Sequence, residues 1–207
     1  MNCFKFSKIL LAAAICSLAT TQLQALDSGW KLGFDAGPTW LQNQNIQTTD
    51  LFFPGVSHTT SLEFKTGYRL DLDAGYQFCR YFSLEGELGY INNPVDIVSS
   101  TGTIYTSFYQ APILVNGVFT LPWFGILKPY AGAGLGVVYT GANDLRDFNG
   151  AGQIVAGLKC GLPAGMDVAV GYKLLVTTEH DWSDILDTTE GTRTVSQSVV
   201  AAFSIKF

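Results

Sequence analysis

The last eleven residues of the chain, 197–207, constrain its fold more than any other segment. Read with a period of two, the segment has one entirely apolar face, made of Val199, Ala201, Phe203, Ile205 and Phe207. The opposite face is mixed and carries Ser198, Val200, Ala202, Ser204 and Lys206. Two faces of different polarity at this period indicate a β-strand that separates two environments. Because the strand stops on an aromatic side chain, its apolar face suits contact with hydrocarbon at an interfacial aromatic girdle.

Composition favours membrane strands over a membrane helix. The chain is 47% hydrophobic and 14% charged, and it contains 22 glycines. The segment that comes nearest to a spanning helix, residues 111–127, is interrupted by Pro112, Asn116, Gly117, Pro122 and Gly125. A membrane-embedded chain without a spanning helix must pair all its backbone groups in a closed barrel.

The N-terminus carries the pattern of an export signal. Two lysines precede an apolar run over residues 9–19, and the polar stretch that follows ends at Ala25. We expect residues 1–25 to be a signal peptide and residues 26–207 to be the barrel domain. The apolar run is too short for a membrane anchor, although the residue three positions before the expected cut is larger than usual.

Export would bring the chain into a compartment where disulfides persist. Cys3 and Cys16 would leave with the signal peptide, so that only Cys79 and Cys160 remain. We expect these two cysteines near the periplasmic end but on roughly opposite walls, and therefore as unpaired thiols.

The rest of the chain alternates like its last segment and predicts seven further strands. They cover residues 30–40, 62–76, 84–90, 104–121, 128–140, 150–162 and 168–176. Residues 42–59, 92–102, 141–149 and 178–191 are predicted to be loops. Because long and short connections alternate, we expect an all-β, antiparallel up-and-down barrel of eight strands with both termini in the periplasm. The predicted aromatic girdle is Trp30, Trp40, Tyr90, Trp123, Phe124 and Tyr139.

Charged side chains alternate with the apolar set, and they cannot all face lipid. A soluble eight-stranded barrel would instead place its apolar residues inside. Since such a barrel is just wide enough to be filled by side chains, we expect opposite charges to pair across it and to block water. A gated proton or ion path is the functional alternative. The predicted lumen charge network is Asp35, Lys65, Arg69, Asp71, Asp73, Glu85, Glu87, Lys159 and Lys173.

Two segments resemble a known family. The run from Lys128 to Gly136 is similar to the Pro-Tyr-x-Gly-x-Gly strand of the opacity-like, outer membrane protein A-like family of eight-stranded β-barrels. The last strand resembles the targeting strand of bacterial outer-membrane barrels. This resemblance implies insertion by the barrel assembly machinery into an outer membrane that contains lipopolysaccharide. It also implies that Phe203, Ile205 and Phe207 form the assembly signal.

The predicted outer loops contain the ingredients of two kinds of site. Their acidic residues are Asp50, Asp96, Asp144, Asp147, Glu179, Asp181, Asp184, Asp187 and Glu190. Residues 179–187 offer oxygen ligands but lack the spacing of an EF-hand loop, so we expect no specific metal site. His180, Ser183 and a nearby Asp contain the ingredients of a Ser–His–Asp hydrolase, but they do not match the pattern of the eight-stranded lipid A deacylases. We expect no catalytic site and no cofactor.

The sequence therefore predicts a non-enzymatic barrel of the bacterial outer membrane with a polar, side-chain-filled lumen. Its acidic extracellular loops would serve surface integrity or adhesion, with a host or other extracellular ligand as partner. The alternatives are a narrow channel for small solutes, as in the outer membrane protein W family, and a lipid-modifying enzyme. No basic patch for nucleic acid is present.

Overall fold

The computed structural model describes residues 28–42, 44–49, 57–99, 102–121, 126–142, 145–178 and 194–207. The strands are β1 (Gly29–Leu41), β2 (Gln44–Thr49), β3 (Ser57–Phe64), β4 (Gly67–Cys79), β5 (Phe82–Ser99), β6 (Gly102–Thr120), β7 (Leu127–Ala142), β8 (Leu145–Gly161), β9 (Met166–Thr177) and β10 (Val195–Lys206). A 3₁₀ turn at Pro163–Gly165 joins β8 to β9. Across these described ranges, no helix has the length and apolar character needed to cross a membrane.

Eight of the ten strands close into a barrel. Their order is β5-β4-β1-β10-β9-β8-β7-β6, and β5 also pairs with β6, which completes the ring. Every pairing is antiparallel, and the first and last strands meet. Trp30 and Phe207 exchange two backbone hydrogen bonds of 3.0 Å at this seam. The predicted fold class and the predicted number of barrel strands are confirmed.

Large apolar side chains cover the outer wall. Along β9, Val170 is 61% exposed, whereas its inward neighbours Gly171 and Lys173 are buried. Among the side chains that the alternation predicts to face hydrocarbon, six on β5, β9 and β10 are exposed: Leu84, Leu88, Val170, Tyr172, Phe203 and Ile205. In a membrane barrel such residues contact lipid, because the inner and outer faces alternate along every strand.

Introducing Arg at Val170 is expected to cost about 2–4 kcal/mol of folding free energy, because a charge would enter the hydrocarbon near mid-membrane. Leu162→Arg is the control, since Leu162 lies beside the short turn after β8 and should cost about 0–1 kcal/mol there. Unfolding titrations in phosphatidylcholine bilayers would measure both values. Equal costs at the two positions would show that the outer wall has been assigned to the wrong face.

Three of the predicted loops are partly strand. Strand β5 continues through Asn92-Asn93-Pro94 to Ser99. Strand β2 lies inside the predicted loop 42–59 and pairs as a hairpin with β3, which begins inside that loop and ends beyond it. Strands β7 and β8 extend to Ala142 and from Leu145, within the predicted loop 141–149. The strands are therefore longer than the stretches in which lipid-facing apolar residues alternate with inward residues.

Asn93 explains why a sequence that resembles a turn is accommodated in a strand. Its fully buried side chain donates hydrogen bonds to the backbone carbonyls of Thr39 at 3.2 Å and Lys65 at 3.0 Å. The next residue, Pro94, accepts a backbone hydrogen bond from Lys65 at 2.9 Å. These contacts satisfy backbone groups where β3 and β4 separate, so the ladder continues past the break.

The second predicted strand is two strands with different inward faces. It breaks at Lys65-Thr66, between β3 and β4. Before the break, Phe64 packs against the buried residues Leu41, Val95 and Phe108, with its ring 5.9 Å from that of Phe108. The alternation of the second predicted strand places Phe64 on its lipid-facing side, and this prediction is wrong. Between the pairs Phe64–Val95 and Tyr68–Asn92, the β3–β4 side has one residue more than β5, and this extra residue reverses which face points inward.

Candidate functional site

The interior of the barrel is the candidate site, and Arg69 lies at its centre. Arg69 points inward from β4 and is fully buried. Its Nε donates to Asp71 Oδ2 at 2.7 Å, and its Nη2 donates to Glu87 Oε1 at 2.5 Å. Nη2 also donates to Gln153 Oε1 at 2.6 Å, so the guanidinium joins β4, β5 and β8. Nη1 has no hydrogen-bond partner among the described residues.

Lys173 crosses the lumen from the opposite wall. Strand β9 lies four positions around the ring from β5, and the Lys173 ammonium nevertheless reaches Glu87 Oε2 at 3.0 Å. The same ammonium lies 2.7 Å from Asp35 Oδ2 and 2.8 Å from Asp71 Oδ2. One cation therefore holds three buried carboxylates from three different strands.

Neutral amides complete this arrangement. Gln153 Nε2 donates to Glu87 Oε2 at 2.9 Å and to Asn116 Oδ1 at 3.2 Å. Asn116 Nδ2 donates to the same Glu87 oxygen at 3.0 Å. We call the connected set the central network: Asp35, Arg69, Asp71, Glu87, Asn116, Gln153 and Lys173. Buried charges are tolerated when they are paired and hydrogen-bonded in this way.

The remaining predicted lumen charges lie nearer the short turns. Lys31 donates to Glu85 Oε1 at 2.8 Å, and the Ser83 hydroxyl donates to the same oxygen at 2.7 Å. Lys159 lies over the ring of Tyr130, 5.3 Å from its centre, and forms no ion pair with a described residue. Asp73 likewise forms no ion pair within the described ranges. These residues line a cavity of about 50 Å³ beneath the central network.

Lys65 does not belong to the lumen network. Its side chain is 56% exposed and pairs with Asp96 Oδ2 at 2.5 Å, at the end of the barrel where the longer loops were predicted. The hydrogen bond with Asp96 raises the pKa of Lys65 above its ordinary value. The inward prediction for Lys65 is wrong, because the break after β3 changes which face of the chain points inward.

The lumen beyond the central network contains apolar layers that the sequence did not predict, together with buried polar side chains such as Thr39 and Gln110. A buried apolar layer from five strands consists of Ile91, Leu114, Val138, Ala151 and Leu175. A second cluster, made of Leu41, Val95 and Phe108, lies further towards the longer loops. Ile91, Val138 and Leu175 lie an even number of positions from the inward residues of β5, β7 and β9. The period of two would therefore have placed their side chains inside the barrel. Within the part of the chain that the structure describes, the buried charges are therefore confined to the central network and the part nearer the short turns, whereas the other buried polar side chains, such as Thr140 and Asn149, are uncharged.

Two buried glutamines provide a matched test of the central network. Gln153 makes three hydrogen bonds in it, whereas neither amide atom of the fully buried Gln110 has a partner among the described residues. Gln153→Leu is expected to cost at least about 2 kcal/mol, because it strips hydrogen bonds from buried ionised groups. Gln110→Leu should be neutral, or stabilising by about 1–3 kcal/mol, since it removes an unsatisfied polar group. Urea unfolding in lipid bilayers would measure both. Equal losses would contradict the network.

The other predicted sites are described only in part. Trp30, Trp40 and Tyr90 are exposed on the outer wall, and Tyr139 is half-buried beside Phe148, with ring centres 4.9 Å apart. Trp123, Phe124, His180 and Ser183 lie outside the described residues. Of the predicted acidic loop set, Asp96 and Asp147 are described, and they lie in strands β5 and β8. Within the described ranges, no group of three residues suited to hold a metal ion occurs.

The last predicted features lie at the seam and near the turns. Phe203, Ile205 and Phe207 are exposed on the outer wall along β10 and at its end. Cys79 and Cys160 are free thiols on β4 and β8, which are opposite walls of the ring.

Comparison with known proteins agrees with this architecture. The family model of the outer membrane protein beta-barrel domain matches residues 9–203. Neisserial surface protein A has a similar solved structure, with a TM-score of 0.56 and 16% identity over 87% of this chain and 99% of that one. The outer membrane protein OprG from Pseudomonas aeruginosa gives a TM-score of 0.50 and 16% identity over 90% of this chain and 99% of that one. No curated protein matches the sequence. The chain therefore belongs to the outer membrane protein β-barrel family and is a protein of the bacterial outer membrane.

Proposed function

We propose that this protein is a closed, non-enzymatic scaffold that presents its outer loops for surface integrity or adhesion. The central network carries the proposal, because Lys173 and Arg69 join opposite walls of the barrel through shared carboxylates. The implied partners are lipopolysaccharide around the barrel, the barrel assembly machinery during insertion, and an extracellular ligand at the loops.

Two layers in series favour this scaffold over a solute channel. Ions that enter from the periplasm meet charges that are already neutralised by one another, and the apolar layer beyond them offers no hydrogen bonds. An eight-stranded barrel leaves little room beside such side chains. The narrow channel is therefore the weaker candidate.

The interior also gives little support to an enzyme. The inward carboxylates of the central network are buried and bound to cations, so they are not available to a substrate as acids or bases. The cavity below them, about 50 Å³, is much smaller than an ordinary ligand pocket.

Removing a predicted loop from the intact barrel tests the proposal. A variant in which residues 181–191 are replaced by a short turn should reach the outer membrane in normal yield, because the barrel strands are unchanged. It should reduce attachment to host cells or survival in detergent. Replacing only the acids of this segment by their amides separates the effect of charge from that of the loop itself. The proposal would be contradicted if cells with this variant and cells without the protein both attached and survived as well as cells with the wild-type protein.

A further inference from the structure

A cavity of about 190 Å³ opens at the end of the barrel that carries the short turns and the strand ends of β1 and β10. In a bacterial outer-membrane barrel this end faces the periplasm. All eight barrel strands or their adjoining turns contribute to its wall. We call it the periplasmic cup, and its charged lining residues in the described part of the chain are Lys31, Arg80, Lys128, Lys159, Lys206 and Asp167.

The cup concentrates positive charge. Its described lining has five cationic side chains and one carboxylate. Lys31 faces Lys206 across β1 and β10, and Lys128 faces Lys159 across β7 and β8, each as a direct register partner on the inward side. Like charges directly opposite each other destabilise a sheet, so this arrangement has a cost in the absence of a counter-charge.

The carboxylates nearby compensate for only part of that charge. Glu85 holds Lys31 at 2.8 Å. Lys128 and Asp167 both border Gly161, where an added methyl group would lie 3.0 Å from Lys128 Nζ and 3.5 Å from Asp167 Oδ1. Lys159 rests over the Tyr130 ring, 5.3 Å from its centre, and lines the same cup as Lys31. The ammonium groups of Lys31, Lys128 and Lys159 thus border one small space.

We propose that the periplasmic cup binds a phosphate group. Phosphate carries about 1.5–2 negative charges at neutral pH and several acceptor oxygens, and lysine ammonium groups bind it as compact point charges. The cup is smaller than a drug-sized pocket, so it suits a single phosphate or a phosphorylated headgroup.

The phosphate binds in the periplasmic cup and does not pass further into the lumen. The floor of the cup leads to the smaller cavity of about 50 Å³, which Asp73, Glu85 and Glu87 help to line and which leaves little room for a second anion. Above them, the central network crosses the lumen. The bound phosphate therefore stays at the periplasmic mouth, where it relieves the repulsion between the paired lysines.

Calorimetric titration of inorganic phosphate into the full-length barrel in maltoside micelles tests the proposal. Saturable binding is expected, and Lys159→Gln should weaken it about tenfold or more, because one charge-assisted contact is lost. Lys65→Gln is the control, since it makes the same change of charge at the other end of the barrel and should leave binding unchanged. Lys128→Gln is a second variant that should weaken phosphate binding to a similar extent. It takes the place of Lys159→Gln if that variant does not fold.

Nanodiscs distinguish the two sources of phosphate. If the ligand is free phosphate from the periplasm, inorganic phosphate should bind equally well in phosphatidylcholine discs with and without phosphatidylglycerol. If it is a lipid headgroup, phosphatidylglycerol should block the binding of inorganic phosphate. Either result supports the cup as a phosphate site. No saturable binding in micelles, or equal weakening by Lys159→Gln and Lys65→Gln, would overturn the proposal.

Discussion

Replacing Lys173 by Met is expected to lower the free energy of unfolding by about 3–5 kcal/mol, the usual loss when one partner of a buried ion pair is removed. The methionine keeps much of the side-chain volume, so packing alone does not account for the effect. Asp35, Asp71 and Glu87 would each lose a contact of 2.7–3.0 Å inside the barrel. Reversible urea unfolding of the barrel in lipid vesicles would measure the loss.

The same substitution at Lys65 is the control. Lys65 also pairs with a carboxylate, Asp96, but more than half of its side chain is exposed. Surface pairs contribute about 0–1 kcal/mol, so Lys65→Met should remain within that range. Losses of similar size at the two lysines would show that the ion pairs of the lumen are no more important to stability than one at the surface.

Phe207→Ala is expected to reduce the yield of protein in the outer membrane severely while changing the stability of the folded barrel little. The Phe207 side chain is 70% exposed on the outer wall, and its backbone is held to Trp30 by two hydrogen bonds that the substitution leaves in place. Truncation should therefore cost well below the ~1.5–3 kcal/mol of a fully buried side chain. The resemblance of the last strand to the family's targeting strand predicts instead a defect at insertion, with precursor accumulating in the periplasm.

Phe119→Ala is the matched control for this prediction. Phe119 is another exposed aromatic on the outer wall, one residue from the end of β6 and beside the following short connection. It should lose a similar small amount of stability and assemble normally. If the yield with Phe207→Ala is normal, or if it falls only in proportion to stability as with Phe119→Ala, then Phe207 is a packing contact and not part of an assembly signal.

The membrane-spanning part of the fold could be predicted from sequence because lipid imposes one simple rule. Every outward position in the hydrocarbon must be apolar, and this produces a period of two that is readable in a single strand such as β9 or β10. Outside the hydrocarbon the rule no longer holds. Asn92-Asn93-Pro94 therefore suggested a loop, whereas the long-range hydrogen bonds of Asn93 keep the segment in β5.

The composition of the lumen could be predicted better than its contacts. Alternation placed Arg69, Asp71, Glu87 and Lys173 inside without any knowledge of the structure. Which of these side chains form contacts depends on the register of strands that are far apart in sequence. The alternation of residues therefore could not predict that Lys173 pairs with three carboxylates. The uncharged Gln153, which joins Arg69 to Glu87, gave no signal of its own.

The errors at Lys65 and in the apolar layer have different physical causes. The sequence predicts one continuous strand through Lys65, and hence an inward side chain, because the single extra residue between β3 and β4 is not visible in an alternating pattern. Ile91, Val138 and Leu175 were missed because apolar residues on an inward face contradict the expectation of a polar lumen. A small barrel that conducts nothing is free to fill part of its interior with apolar side chains, as a soluble barrel does.

The most direct test of the closed lumen is a measurement of ionic current through the wild-type barrel in planar lipid bilayers. The central network and the apolar layer together predict no stable conductance steps in neutral salt solution, even with many barrels inserted. The packing of the apolar layer does not depend on salt, so raising the ionic strength should not open a path. Regular conductance steps that scale with the amount of inserted wild-type protein would contradict the closed scaffold and would establish a channel.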